Sequence, residues 1–380
     1  MTSERGTPAQ GDQRFRGRVT SRVGTTGFVS LVGLVVLALV PLFEKNAYTL
    51  SIFVIAFIWL VVVAGWDLIT GYAGVFSFAQ VAFFVIGAYA SGMLAIRFSL
   101  SPWLTMPLAG LITAGVAVLI GIPCLRVKGV YVALVTYALQ LVLPTFILNG
   151  SRLGTGGSAG LLGIPGLRIG SYVFSPLSQT PWYYTGLAIA AISVYLIYFR
   201  IVKSRFGMSM AALRDAEGFA KSLGVNESRT VLGVFAFSGF FTGLIGGFYG
   251  HYTGSVSQDL LGMNYFLLLL VMLTVGGMGR FPGAILGALL FTFANEYLRV
   301  SGSARMIIIG AIVIVAIVAM PHGLIPALES LVAKLRRRGK PAEPGEGDPG
   351  GGGDEDAVLS ASNPRELARP QPSDSSATIT

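Results

Sequence analysis

Long apolar runs, separated by short polar stretches, follow one another along most of this chain. A helix needs about 20 apolar residues to cross the hydrocarbon core of a bilayer. The runs therefore predict ten membrane-spanning helices, with eight or nine as the alternatives, because several runs are short or interrupted by glycine. They cover residues 27–43, 47–66, 74–96, 103–122, 129–148, 182–199, 231–250, 260–278, 282–298 and 304–320.

Polar segments flank this apolar region at both ends. Residues 1–26 are polar and basic, and residues 326–380 are first basic and then low in complexity. Such segments cannot bury enough apolar surface to offset the loss of chain entropy on folding, which predicts disorder. The predicted organisation is thus a membrane domain over residues 27–325 between two disordered cytoplasmic tails.

Composition supports the same fold class. Hydrophobic residues make up 53% of the chain and charged residues 12%, whereas charged residues are about 25% of a soluble domain. We therefore predict an all-α polytopic protein of the cell membrane.

The net charge of +9 fits membrane topology better than nucleic-acid binding. With ten spans and both termini in the cytoplasm, 19 Lys and Arg residues fall on the cytoplasmic side and six on the outer side, leaving aside Arg365 and Arg369. This asymmetry follows the positive-inside rule. Membrane lipid, and not nucleic acid, is the expected partner of these charges.

Side chains that carry chemistry are scarce. The single cysteine, Cys124, excludes a disulfide framework within the chain. His251 and His322 lie near span ends, where an interfacial position is expected, and Asp67 and Glu296 lie near span ends within reach of headgroups. No P-loop motif, catalytic motif or metal-spaced cluster occurs. We therefore expect no cofactor and no enzymatic activity of this chain itself.

The polar loop over residues 200–230 carries a pattern typical of a helix. If Ala211–Leu223 is helical, apolar side chains share one face, and Glu217 pairs with Lys221 at the favourable i,i+4 spacing. Gly224 suits the left-handed position after a helix end. The residues of the apolar face are Ala212, Ala216, Phe219, Ala220 and Leu223. This face has to be buried against the bilayer, its own bundle or the groove of a partner, and the small alanines make the bilayer the weakest of the three.

Glycine-rich stretches interrupt three of the apolar runs. The first, Gly71–Gly92, also contains Ser77 and Gln80, and it fits a helix lining a translocation path as well as ordinary helix packing. In the second, residues 231–250, glycines four residues apart favour close helix contact. The third, Val275–Ala288, predicts a tight cytoplasmic turn or the join of two half-helices.

Taken in order, these segments resemble the LivM-type permeases of branched-chain amino acid ABC importers. The resemblance runs from about residue 47 to residue 325 and leaves out both tails. Two departures lie at residues 79–80, which are Ala-Gln where Gly-His or Gly-Gln is commoner, and at Thr274, where the family usually has Leu. The matching segments are residues 71–89, 125–138, 155–166, 204–229, 276–279, 283–288 and 305–324.

The resemblance implies a translocation pathway shared with a second, LivH-like permease. Two cytoplasmic ABC ATPase subunits and an extracytoplasmic solute-binding protein would complete the importer. The resemblance also makes residues 212–225 the coupling helix. The functional residues that it implies there are Ala212, Arg214, Asp215, Glu217, Ala220, Lys221, Leu223 and Gly224. It places Gly71, Gly74, Ser77, Gln80, Gly87, Tyr89, Thr274, Gly276 and Gly277 along the pathway, and Thr155, Gly156 and Gly157 in the outer loop.

Other functions stay open beside this one. Sister systems for urea or short amides have similar permeases, so the substrate is not fixed by the resemblance. An ion-coupled secondary transporter usually keeps ionisable residues at mid-span, and this chain has almost none there. That class and a passive solute channel would both leave the structured cytoplasmic loop without a role.

Overall fold

The computed structural model describes residues 32–170, 172–175, 178–301 and 310, and these residues are mostly helical. The helices are α1 (Val32–Phe43), α2 (Ala47–Asp67), α3 (Gln80–Phe98), α4 (Pro102–Cys124), α5 (Val130–Asn149), α6 (Gln179–Val194), α7 (Arg205–Asp215), α8 (Glu217–Ser222), α9 (Glu227–Thr253), α10 (Met263–Gly276) and α11 (Gly283–Tyr297). Two π-helical turns, Leu68–Tyr72 and Tyr195–Ile201, extend α2 and α6.

Within the described residues, helices occupy nine of the ten predicted runs, and six of them are long and apolar enough to cross a membrane. These six involve α2, α3, α4, α5, α6 and α9. The chain is therefore an all-α polytopic membrane protein. The described part of α1 and helices α10 and α11 are shorter than a full crossing. Apart from residue 310, the run 304–320 lies outside the described residues, as do both tails. The exact number of spans and the location of the termini stay predictions.

Helix α3 begins later than its apolar run predicts. It starts at Gln80 instead of residue 74, and residues 74–79 are not helical. Two side chains hold this non-helical stretch in place: the indole Nε1 of Trp66 donates to the Ser77 carbonyl at 2.6 Å, and the Phe78 amide donates to the Thr136 hydroxyl at 2.8 Å. Contacts with other helices thus override the local apolar pattern.

Helix α2 forms the centre of the bundle. Every residue from Ala56 to Asp67 is buried, which is typical of a helix surrounded by other helices. The Phe57 ring lies 5.2 Å from the Tyr183 ring of α6, and the Ser238 hydroxyl of α9 donates to the Gly65 carbonyl at 2.7 Å. The core is therefore assembled around α2 by helices that are distant in sequence.

Helix α9 packs closely against α3 and α4 through its glycines. A Cβ atom on Gly243 would lie 2.5 Å from the Cβ of Thr113 on α4, and one on Gly246 would lie 2.2 Å from the Phe84 carbonyl oxygen on α3. Only glycine permits backbones to approach this closely. The close helix contact predicted from the glycine spacing of this run is confirmed.

One end of the bundle is held together by His251, which is 1% exposed. Its Nδ1 lies 2.7 Å from the Pro165 carbonyl oxygen, so Nδ1 donates. Its Nε2 lies 2.9 Å from the Ser91 hydroxyl and 3.0 Å from the Thr105 hydroxyl, which can donate to it. Polar groups of three separate segments thus converge on this imidazole, and its position at the membrane interface stays a prediction.

Four two-residue strands accompany this end. Strand β1 (Leu161–Leu162) pairs antiparallel with β4 (Ser255–Val256), and β2 (Arg168–Ile169) pairs with β3 (Tyr172–Val173). The β1–β4 pair fastens the long loop after α5 to the end of α9. The segments predicted to lie on the outer side therefore meet at this end of the bundle.

Candidate functional site

The candidate site is the polar segment between α6 and α9, residues 202–226, which we call the coupling segment. It contains helices α7 and α8 and lies at the opposite end of α9 from His251. The Ser204 side chain caps α7 by accepting from the amides of Phe206 and Gly207, and the Asn226 side chain caps α9 by accepting from the Arg229 amide. These caps satisfy amides that a helix start leaves without partners.

The coupling segment is two helices and not the single helix predicted over Ala211–Leu223. Helix α7 ends at Asp215 and α8 starts at Glu217, because Ala216 takes an extended conformation with φ −152° and ψ 72°. Each piece is attached to a different part of the membrane bundle, α7 through Arg214 and α8 through Glu217. The break allows both attachments to form.

Helix α8 is held by a chain of ion pairs. The Glu217 carboxylate lies 2.7 Å from the Lys128 ammonium on the α4–α5 turn and 2.6 Å from the Lys221 ammonium, which pairs with Glu227 at 2.5 Å. Hydrogen bonds from Lys128 and Lys221 lower the pKa of Glu217 from 4.5 to about 2. Since the folded-state pKa is depressed, the stabilisation is present above pH 4.5 and is lost as the pH falls through about 2. Glu217 therefore stays ionised at neutral pH.

Helix α7 is attached to the end of α2 by Arg214. Its guanidinium Nη1 donates to the Gly71 carbonyl at 3.0 Å, and its Nε donates to Asp215 at 2.8 Å, which lowers the pKa of Asp215. A Cβ on Gly74 would lie 2.5 Å from the Arg214 Cγ. The structure directs the Arg214 guanidinium toward the membrane bundle, and a role of this residue in coupling stays a prediction.

Of the apolar residues on α8 and at its C-cap Leu223, one is buried in the interior and two are exposed to solvent. Ala220 is 2% exposed, whereas Phe219 is 67% exposed and Leu223 is 69% exposed. The single apolar face predicted for these side chains is therefore wrong, because the break at Ala216 reorients the second helix. The two large exposed side chains form an apolar surface that we call the Phe219–Leu223 patch.

The end of α8 has the conformation that its sequence predicts. Gly224 is left-handed with φ 84°, its amide donates to the Lys221 carbonyl at 3.0 Å, and the Val225 amide donates to the Ala220 carbonyl at 3.1 Å. This pair of bonds is the Schellman motif. The remaining predicted coupling residue, Ala212, accepts from the Ala216 amide at 3.0 Å where α7 ends.

The predicted pathway residues on α3 take part in packing. The Gln80 amide is 1% exposed; it donates to the Val62 carbonyl and the Thr242 hydroxyl, and its oxygen accepts from the Ser238 hydroxyl. Gly87 meets the backbone of Gly243. Tyr89 is 4% exposed, and no hydrogen-bond partner of its hydroxyl lies among the described residues. A pathway role for these residues and for Ser77 stays a prediction.

The predicted pathway residues near α10 also make local contacts. The Thr274 hydroxyl donates to the Leu270 carbonyl of its own helix at 2.8 Å. A Cβ on Gly276 would lie 2.5 Å from the Gly283 carbonyl oxygen, and Gly277 takes the positive φ of 96°. These contacts close α10 against α11, so the pair forms a tight helical hairpin.

The outer-loop residues fold back on the end of α5. The Thr155 hydroxyl donates to the Ile147 carbonyl at 2.6 Å. Gly156 and Gly157 have positive φ angles of 77° and 58°, and a Cβ on Gly156 would lie 1.8 Å from the Gly160 carbonyl oxygen. This loop is ordered by its own backbone, whereas its role in binding a partner stays a prediction.

Comparison with known proteins identifies the family. Residues 48–317 match the model of the branched-chain amino acid transport system / permease component family. This match spans more than half of the chain. The chain belongs to this family of permeases.

Two curated relatives are named as permease proteins of a branched-chain amino acid transport system. This permease is 27% identical over 317 residues to the high-affinity branched-chain amino acid transport system permease protein LivM of Escherichia coli K12, covering 78% of the chain and 74% of that protein. It is 23% identical over 286 residues to the corresponding protein LivH of the same organism, covering 69% and 89%. The similarity to LivM-type permeases predicted from the motifs is thus confirmed.

A third relative has a different name. The permease is 30% identical over 159 residues to the galactose/methyl galactoside import permease protein MglC of Haemophilus influenzae, covering 40% of the chain and 44% of that protein. No solved structure matches the permease.

The burial of Asp67 in this permease and its hydrogen-bond partners were not apparent from the sequence. Its place at a span end suggested a carboxylate within reach of headgroups, whereas the structure buries it within the protein at 0% exposure. Its two carboxylate oxygens accept from the Gly279 amide at 2.6 Å and from the Tyr198 hydroxyl at 3.0 Å. The signal in the sequence was a carboxylate inside a strongly apolar run, which by itself does not reveal these distant partners.

Proposed function

We propose that this permease carries branched-chain or related amino acids across the cell membrane as one subunit of an ATP-driven importer. The observation that carries the proposal is the similarity to LivM over 78% of the chain. The substrate class in this proposal is the one in the name of that relative. The further similarity to LivH over 69% of the chain supports a second permease of the same fold as the partner.

Energy for transport has to come from another chain in this proposal. The sequence contains no P-loop, which ATPases of this kind use to hold phosphate groups. Two cytoplasmic ABC ATPase subunits would supply it, and an extracytoplasmic solute-binding protein would deliver the amino acid. Closure of the ATPase dimer would push on the coupling segment and switch the bundle between outward and inward openings.

The Phe219–Leu223 patch supports the docking of an ATPase at the coupling segment. Two large apolar side chains at 67% and 69% exposure are an unfavourable surface in water. An apolar helix face of this kind typically enters a hydrophobic groove on a partner. Ion pairs around Glu217 hold α8 in place, so that force on the patch reaches the α4–α5 turn.

Co-purification tests the assembly. We expect the tagged permease, extracted from its native membrane, to recover an ABC ATPase and a second permease in a complex of defined stoichiometry. Reconstituted with the binding protein, that complex should take up leucine in an ATP-dependent manner and should not take up urea or galactose. Recovery of a homodimer without an ATPase, or uptake driven by an ion gradient alone, would contradict the proposal.

A single substitution tests the attachment of α8. We expect Glu217→Ala to lower leucine-stimulated ATP hydrolysis and uptake about three- to tenfold, because α8 loses its link to Lys128. Exposed ion pairs contribute little stability, so the amount of assembled complex should stay unchanged. Lys128→Gln should reproduce the defect, whereas Lys203→Gln, whose ammonium lies over the Phe199 ring, should not. Full activity of both Glu217→Ala and Lys128→Gln would exclude this role.

A further inference from the structure

The turn between α10 and α11, residues 277–282, lies in direct contact with the end of α2. A Cβ on Gly71 would be 2.3 Å from the Gly279 nitrogen and 2.8 Å from its Cα, so the two backbones touch. The Phe281 amide of the same turn donates to the Tyr72 hydroxyl at 3.1 Å. The turn is therefore fastened to α2 at two points.

The carboxylate of Asp67 joins three elements at this place. One oxygen accepts from the Gly279 amide at 2.6 Å, and the other accepts from the Tyr198 hydroxyl at 3.0 Å. Tyr198 belongs to the π-helical turn that leads from α6 into the coupling segment. Burying a carboxylate is unfavourable unless strong donors compensate, so this arrangement is held by both donors.

The coupling segment reaches the same place from its other side. Arg214 of α7 donates to the Gly71 carbonyl at 3.0 Å, and Gly71 is the residue whose backbone touches Gly279. Contacts therefore run without a gap from α7, through the end of α2, to the α10–α11 turn. Continuous packing of this kind is what transmits a displacement through a protein.

Helices α10 and α11 pack against each other in close backbone contact. A Cβ on Gly287 would lie 2.2 Å from the Met272 carbonyl oxygen, and one on Gly283 would lie 2.4 Å from the Gly276 carbonyl oxygen. A cavity of about 120 Å³ lies between this hairpin and α2 and is lined by Ile55, Trp59, Leu268, Met272, Thr292 and Glu296 among others. Beside the cavity, the Phe293 ring of α11 lies 4.8 Å from the Phe53 ring of α2, and the Tyr48 hydroxyl donates to Glu296. The hairpin is thus in backbone contact with α2 at its turn, whereas toward its other end it meets α2 through side chains beside free space.

We propose that Asp67 is a positioning residue through which the coupling segment tilts the α10–α11 hairpin against α2. The hairpin acts as a lever with its held end at Gly279, and the cavity supplies the space into which its far end moves. This inference rests on the proposed function, since the displacement of the coupling segment comes from the ATPase.

Two substitutions of Asp67 test the inference in the complete transporter reconstituted with its binding protein. Asp67→Ala removes both acceptors, and we expect leucine uptake and leucine-stimulated ATP hydrolysis to fall at least tenfold. Asp67→Asn keeps one acceptor and should lower both about two- to threefold. Basal ATP hydrolysis and recovery of all subunits should stay within twofold. Thr185→Val, which removes a hydroxyl bonded within α6 itself, is the matched control and should be fully active.

Spin labels give a readout that a purely structural role would not change. Labels at Met208 on α7 and Arg280 on the turn, each measured against Ser101 at the other end of the bundle, report the two displacements. Because the native Cys124 is buried, engineered cysteines carry the labels. On ATP binding both distances should shift in the native sequence, whereas in Asp67→Asn the Met208 shift should persist and the Arg280 shift should shrink at least twofold.

The outcomes separate the two proposals. An unchanged Arg280 shift in Asp67→Asn, an Arg280 label that never moves, or full uptake by Asp67→Ala would overturn the role of Asp67. Loss of subunits from both Asp67 variants would assign the residue to folding alone and would also overturn it. Absence of ATP-dependent leucine uptake in the unsubstituted transporter would instead overturn the proposed function.

Discussion

Replacing both residues of the Phe219–Leu223 patch by aspartate should abolish retention of the ATPase on the permease. Both side chains are mostly exposed, and each would be buried in the groove of the partner. Truncating a central hot-spot residue of an interface costs about 2 kcal/mol or more, and buried charges would add a desolvation penalty. We therefore expect Phe219→Asp combined with Leu223→Asp to weaken ATPase binding more than about tenfold, measured by co-purification at defined protein concentrations.

The matched control lies at the other end of the bundle. Leu162 on β1 and Tyr172 on β3 are 64% and 54% exposed, so their replacement by aspartate makes the same chemical change on the predicted outer side. That double variant should retain the ATPase fully. If both double variants retain it equally, the coupling segment does not dock through this patch. If both lose it, the effect is general and the patch has no special role.

Adding one methyl group at Gly87 should disrupt the packing of the bundle. The Cβ of Gly87→Ala would lie 2.2 Å from the Gly243 carbonyl oxygen and 2.4 Å from its Cα, and both are backbone atoms that cannot rotate away. Overpacking a tight core commonly costs about 1–3 kcal/mol, and a backbone clash belongs at the upper end of that range. We expect a clear fall in the thermal midpoint of the purified permease and in its yield from membranes.

Gly115 of α4 provides the control for this substitution. It is also a helical glycine in an apolar span, and a Cβ there would meet nothing within 4 Å. Alanine is favoured over glycine inside a helix by about 0.5–1 kcal/mol, so Gly115→Ala should leave the thermal midpoint unchanged or raise it slightly. Equal midpoints for the two variants would show that α3 and α9 do not approach as closely as the structure has them.

The positions of the membrane helices follow from the sequence, whereas their surroundings do not. An apolar run of about 20 residues predicts a span regardless of its neighbours, which is why helices occur where the runs predict them. Helices α2 and α5 are both strongly apolar, yet α2 is largely buried and α5 is largely exposed. Lipid and protein interiors are similarly apolar, so the pattern of α2 gives no sign that other helices surround it.

In the coupling segment, too, the sequence predicts local conformation but not contacts with distant residues. The left-handed Gly224 follows from local backbone chemistry, and the sequence predicts it correctly. The helices on either side of the break at Ala216 are attached to Gly71 and Lys128, which lie far away in the sequence. A helical pattern contains no information about such attachments. The same holds for Asp67, whose two partners come from two distant segments, and for His251, whose partners come from three.

The central burial of α2 has a consequence for the order in which this protein is made. Ribosomal synthesis releases α2 before the helices that surround it, since Tyr183, Ser238 and Phe293 contact it from α6, α9 and α11. A newly inserted α2 therefore resides in lipid first, where its apolar sequence is stable on its own. Asp67 is synthesised before Tyr198 and Gly279, so its carboxylate lacks both of the donors that it has in the folded bundle until the second half of the chain arrives.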